Sequence, residues 1–133
     1  MNVDSTVTLD MQINTASTTT TLPHSLSPPP TLIADTGCSA HFVTPTYPLV
    51  NLQPSLYPTH IRLPDGTCMI STHEGELDIP TLPRGARRAH IVPALTDQSL
   101  ISIKQLCDSG CDVSFDAASV CVRHAGIPIF TGK

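Results

Sequence analysis

The sequence predicts an all-β fold, a barrel or sandwich beginning near residue 31, and three observations carry that expectation. From Thr31 onward the chain is a series of short runs rich in Val, Ile, Leu and Thr: "TLIAD", "HFVT", "HIRLP", "TCMIST", "ELDIP", "HIVPAL", "CDVSF", "SVCVRH" and "IPIFTG". Pro, Gly or Asp separates each run from the next, the pattern of strands joined by tight turns. At 133 residues the chain has room for one modest core, so a single domain is expected.

Residues 1–30 are dominated by Thr, Ser, Asn and Pro, as in "TASTTTTLP" and "SLSPPP". Such a stretch has few large apolar groups to bury and reads as a disordered linker ahead of a domain spanning 31–133. "PDGT" at 64–67 and "HAGI" at 124–127 read as hairpin turns, Asp-Gly being the stronger signal. One segment departs from strand texture. In "TDQSLISIKQLCDSG", Leu100, Ile103, Leu106 and Cys107 fall at helical spacing behind Thr96 or Asp97 and ahead of Gly110. This predicts one short amphipathic helix near 98–107 with a glycine stop. No repeat of solenoid length is visible.

The formal charge is −4 and the pI near 5.7, and the basic residues are scattered apart from "RGARR" at 84–88. No phosphate-tracking face is implied, so direct nucleic-acid binding is not expected. No apolar run of about 18 residues is present to cross a bilayer, and no signal-peptide pattern opens the chain, so a soluble, intracellular protein is expected. Five cysteines make an odd count, which points to reduced thiols.

The stretch "LIADTGCSAHFV" carries the chemistry. An apolar strand running into Asp35-Thr36-Gly37 supplies a rigid floor, a carboxylate at a strand-to-loop turn, and a glycine that admits another backbone. Those are the needs of an aspartic protease site. There, two carboxylates about 3 Å apart cannot both ionise and so share one proton. One Asp is not enough. Asp108-Ser109-Gly110 follows the predicted helix instead of a strand and reads as its C-terminal cap, so the expected second acid is Asp35 of another copy, in a two-fold homodimer.

Beyond the tripeptide, "LIADTGCSAHFVT", "IRLPDGT", "HIVPALTDQSLISIKQLCDSGCDVSF" and "CVRHAGIPIFTGK" together resemble the protease region of copia-class retrotransposon Pol polyproteins. That family shows an apolar run into D-[ST]-G-x-[ST]-x-H, a polar-Gly hairpin, V-P-x-L before L-x-S-x-x-Q-L, and a closing hairpin ending in T-G. Asp35, Thr36, Gly37, Ser39, His41, Asp65, Gly66, Val92, Pro93, Leu95, Leu100, Ser102, Gln105, Leu106, Gly110, Thr131 and Gly132 occur in that order. "SLISIKQL" differs from the family's N-L-L-S-V-x-Q-L at Ser99, Ile101, Ile103 and Lys104. The resemblance implies a retropepsin-like closed β-barrel with one short helix, and a homodimeric aspartic endopeptidase that cuts a Gag-Pol-type polyprotein. It is expected in the cytoplasm or in a virus-like particle. Asp35 would be the catalytic acid and base, Thr36 would buttress the paired loops, and Gly37 would admit substrate backbone. The polypeptide substrate would lie under flaps, for which the hairpin carrying Asp65 and Gly66 is the candidate. The other reading is a non-catalytic β-barrel remnant serving as a structural or interaction module. The chain ends before any integrase or reverse-transcriptase region, as a fragment, a relic or a stand-alone derivative would.

No cofactor or metal is expected. Cys107, Cys111, Cys121 and His124 match no standard zinc spacing. Cys38 and His41 could be a nucleophile and base, but no oxyanion site is signalled nearby, and His41 is expected to bond the backbone of its own loop. His73-Glu74-x-Glu76 reads as an exposed loop and "RGARR" as a solvated turn. For the dimer interface the sequence nominates Val120 to Val122 and Ile127 to Phe130.

Overall fold

Short β-branched runs bounded by Pro, Gly and Asp do fold as strands. The computed structural model describes residues 8–13, 31–62, 66–96 and 98–132. In chain order the elements are β1 (Thr8–Ile13), β2 (Thr31–Asp35), β3 (His41–Val43), β4 (Leu49–Pro54), β5 (His60–Arg62), β6 (Cys68–Ile70), β7 (His73–Leu77), a 3-10 turn (Arg84–Ala86), β8 (Arg88–Ile91), β9 (Gln98–Ser102), α1 (Ile103–Asp108), β10 (Asp112–Phe115), β11 (Val120–His124) and β12 (Ile127–Gly132).

Ten strands form one sheet in the order β10-β11-β12-β1-β2-β9-β3-β8-β7-β4, and β5 and β6 form a separate hairpin. The all-β class holds, with one short helix. A closed barrel is not found: β10 and β4 end the ladder, and no pairing joins them among the described residues. Two pairs inside the sheet are parallel, β2 with β9 and β3 with β8. β2 explains its own unbroken apolar run. Leu32, Ile33 and Ala34 are all buried, as in a strand covered on both faces.

Three further expectations change. Thr8–Ile13, assigned by composition to the linker, is strand β1, paired with β2 and β12. Its apolar and polar residues alternate, Leu9, Met11 and Ile13 against Thr8, Asp10 and Gln12, which is the period of a strand. The rest of residues 1–30 lies outside the described residues. Next, the helix expected near 98–107 is a strand in its first half. β9 pairs in parallel with β2 from Thr31↔Gln98 to Asp35↔Ser102, and only then does α1 begin, with Ser102 as its cap in place of Thr96 or Asp97. The spacing of Leu100, Ile103 and Leu106 fits a helix, but a central strand position outweighs periodicity in so short a segment.

The glycine stop is found as expected. Gly110 sits at φ +98, with Gly110 N–H donating to Cys107 O and Cys111 N–H to Leu106 O, the two bonds of a Schellman motif. The β11–β12 turn also forms, with Ala125 at φ 55 and Gly126 at φ 81, the double positive φ that a tight hairpin requires.

The third change concerns the nominated interface. Val120, Val122, Ile129 and Phe130 are at most 1% exposed and belong to the chain's own core with Leu77, Leu82, Ile101 and Leu106. They have no apolar surface left to offer a partner. Ile127, at 55% exposure, is the large apolar residue of those strands that faces outward. Phe130→Ala should therefore cost about 3–5 kcal/mol of unfolding free energy by urea titration, through the cavity it leaves. The loss should be the same at every protein concentration; a loss that grows on dilution would return Phe130 to an interface.

Candidate functional site

The acid sits where the parallel pair delivers it. Asp35 closes β2 level with Ser102 at the end of β9, so the Asp35-Thr36-Gly37 turn and the start of α1 leave the sheet side by side. Asp35 is half-buried and Oδ1 accepts the Gly37 N–H at 2.7 Å. This local bond fixes the carboxylate rotamer within its own turn. Thr36 is half-buried and Gly37 exposed.

Behind the turn lies a network built around His41, which is 0% exposed. Nδ1 accepts the Ser102 N–H at 2.9 Å, so the ring proton must be on Nε2, which donates to Ala86 O at 2.8 Å. The His41 N–H donates to Gln105 Oε1 at 3.0 Å. Ser102 Oγ donates to Cys38 O at 2.7 Å and accepts the Gln105 N–H at 3.0 Å. Gln105 Nε2 then donates to Gly85 O and Arg88 O at 3.1 and 3.0 Å. His41 thus bonds β9 and the 3-10 turn, not the backbone of its own loop. Burial pushes its pKa down to about 4, because a charged ring would lose the Ser102 N–H bond and its hydration together.

The Cys38–His41 reading fails on two counts. Both ring nitrogens are committed to backbone groups, and Cys38 is pushed up to about 12 by burial and then by the Asp35 charge. A thiol held neutral is a poor nucleophile. Asp108 is no second acid either. It is exposed at the end of α1 and pairs with Lys104 Nζ at 2.7 Å, while Gly110 completes the helix cap, as its context predicted.

Gly66, at φ +92 and exposed, lies between β5 and β6, whose register runs from His60↔Ile70 to Arg62↔Cys68. Asp65 lies outside the described residues. The hairpin is anchored at its base, where Ser71 N–H donates to Thr59 O at 2.9 Å and Thr59 N–H to Ser71 Oγ at 2.8 Å.

Two stretches read as exposed do structural work. Glu74 lies in β7, is 9% exposed, and meets Arg88 Nη2 at 3.0 Å and Gln53 Nε2 at 3.2 Å. The Arg88 contact holds its carboxyl below the usual range. In "RGARR", Arg87 donates to Leu82 O and Pro80 O at 2.9 and 3.0 Å. Glu74 and Arg88, with Asn51, Gln53, Glu76 and Arg84, line a cleft of about 570 Å³. Strand alternation puts Glu74 with Glu76 on the face opposite the core residue Leu77, so no sequence signal marks Glu74 as buried or pairs it with Arg88. Among the described residues, no three His, Cys, Asp or Glu side chains gather as a metal site, and no helix is long and apolar enough to cross a membrane.

Comparison of the chain with protein-family models, with curated proteins and with solved structures returns no match.

The network carries a pH consequence of definite sign. His41 binds its proton more weakly folded, at about 4, than unfolded, at 6.5, so its contribution to stability is complete above pH 6.5 and is lost as pH falls toward 4. The full effect is about 3 kcal/mol. Urea unfolding across that window should show this decline. His41→Gln should be less stable than the parent at neutral pH and should flatten the slope; an unchanged slope would mean that the imidazole is not the titrating group.

Proposed function

We propose that this chain is an aspartic endopeptidase of retrotransposon origin that acts as a homodimer on a polyprotein substrate, with a retropepsin-like fold. The observation that carries the proposal is the placement of Asp35-Thr36-Gly37 at the end of a buried central strand, with Gly37 N–H on the Asp35 carboxylate at 2.7 Å. The acid is half-buried and sits on a supported turn. The resemblance to copia-class proteases over residues 31–133 supports the same reading.

The chemistry requires two such turns. With two Asp35 carboxyls at a two-fold axis, mutual repulsion keeps one proton on the pair. The ionised member takes a proton from water, which attacks the peptide carbonyl, while the protonated member donates to the carbonyl oxygen. The apparent pKa values then belong to the pair. Thr36 would steady the turns against each other, and Gly37 would let the substrate backbone approach. The β5–β6 hairpin with Asp65 and Gly66 is the proposed flap, a separate two-stranded sheet anchored through Ser71. The interface would draw on apolar groups that the fold leaves outside.

The second reading is a non-catalytic module that binds protein. The exposure of Leu56 and Tyr57, at 75% and 83%, favours it, because adjacent large apolar residues in water mark a contact surface. A peptide-library cleavage assay decides between the two. The protease reading predicts acid-favoured cleavage that an aspartyl-protease inhibitor blocks and that Asp35→Asn reduces by at least about a thousandfold, the scale of losing an acid–base group together with its partner. A well-folded dimer that cuts nothing supports the binding module.

A further inference from the structure

Ser102-Ile103-Lys104-Gln105 has the sequence of a helix capping box, in which the Ser side chain accepts the N–H three residues on and the Gln side chain accepts the Ser N–H. Only the first half forms here, with Ser102 Oγ accepting the Gln105 N–H at 3.0 Å. The Ser102 N–H goes instead to His41 Nδ1 at 2.9 Å, and Gln105 Oε1 turns to the His41 N–H at 3.0 Å. The imidazole has taken the glutamine's place in the cap. Ser102 Oγ keeps its own proton to donate while it accepts, and it reaches Cys38 O at 2.7 Å, three residues beyond Asp35.

We propose that His41 is a positioning residue for the Asp35 turn: its neutral ring holds Ser102 in the one arrangement that ties Cys38, and taking up a proton releases the turn. This deepens the protease reading and names an acid limit for that site.

The geometry makes the device all-or-none. Nδ1 can accept the Ser102 N–H only while it carries no proton. Once protonated it faces a donor at 2.9 Å, and both groups must part. Ser102 then moves with the start of α1, and the Cys38 carbonyl loses its hydroxyl donor. The six-residue helix is too short to hold its place without the cap. Charges on the packed elements oppose protonation or stand aside. His90 on β8 is the group whose charge acts on His41, and it disfavours a second proton. Arg88 on β8 is turned to Glu74. Arg87, beyond the 3-10 turn, is held by Leu82 O and Pro80 O, and Arg84 on the turn is exposed. Lys104 on α1 pairs with Asp108. Ser102 and Gln105 are uncharged, and on its own loop Cys38 is held neutral with Asp35 beyond it.

The test is an NMR titration of the full chain from pH 8 to 3, following imidazole nitrogens and backbone amides together. The expected result is a His41 ring with its proton on Nε2 at neutral pH, titrating below pH 5, with the amides of 36–41 and 102–105 moving on the same curve. Ser102→Ala keeps the backbone N–H that His41 accepts but deletes the tie to Cys38. In it the ring should titrate while the response of the 36–39 amides shrinks severalfold. A ring that titrates near pH 6 or above, a proton on Nδ1, or loop amides that ignore the ring in the wild-type chain would overturn the proposal. So would a folded Ser102→Ala chain whose loop follows the ring as before. These readings need no peptide cleavage: an inactive protein that passes the titration loses the protease reading and keeps the latch, and an active one that fails it does the reverse.

Discussion

One buried histidine ties its own strand to two parts of the chain that are distant in sequence. His41 holds the end of β9 through Ser102, the 3-10 turn through Ala86, and the first turn of α1 through Gln105. Buried polar groups are tolerated only when paired, and here each group serves another. The low dielectric that strengthens these bonds would penalise any partner left alone. That interdependence is why the strand-to-helix junction falls at residue 102 and not four residues earlier, and why the turn after β2 has a fixed floor.

The parallel pairing of β2 and β9 then gives this junction its use. Antiparallel neighbours would place the acid turn and the helix start at opposite ends of the sheet. With Asp35 level with Ser102, the carboxylate emerges beside the cap, and Ser102 Oγ can reach back to Cys38. Three other acids are committed elsewhere: Glu74 to Arg88, Asp108 to Lys104, and Asp116 to its own turn at Ala118 and Ser119. The Asp35 carboxylate accepts the backbone N–H two residues on, an arrangement that would suit the proposed meeting with a second copy.

Much of this was legible in the residues. Alternation and Pro/Gly punctuation marked all or part of nine of the twelve strands and missed β1, β4 and β9, Gly110 and Gly126 marked their turns through the positive φ they supply, and "LIAD" announced an apolar strand ending in an acid. What escaped depended on partners far away in the chain. Leu100 fits the helical spacing of Ile103 and Leu106, yet pairing with β2 makes it strand. The hydrophobicity of Val120, Val122, Ile129 and Phe130 says that they are buried, not whether by the chain itself or by a partner, and the fold decides for the chain. His41 looked like a loop residue because nothing in its neighbourhood names Ser102 or Ala86. The strand at 8–13 was hidden by the Thr- and Pro-rich composition around it, although its own six residues alternate cleanly.

The central claim is that two copies of Asp35 make one catalytic unit, and subunit mixing tests it most directly. Wild-type chain and Asp35→Asn chain are unfolded together, refolded in varying proportion at fixed total concentration, and assayed on a cleavable peptide. If each active unit needs both acids, activity follows the square of the wild-type fraction, and an equal mixture retains about a quarter of the wild-type rate per total chain. Activity that falls in direct proportion to the wild-type fraction would show that one chain suffices and would contradict the account, as would a wild-type dimer that cuts nothing.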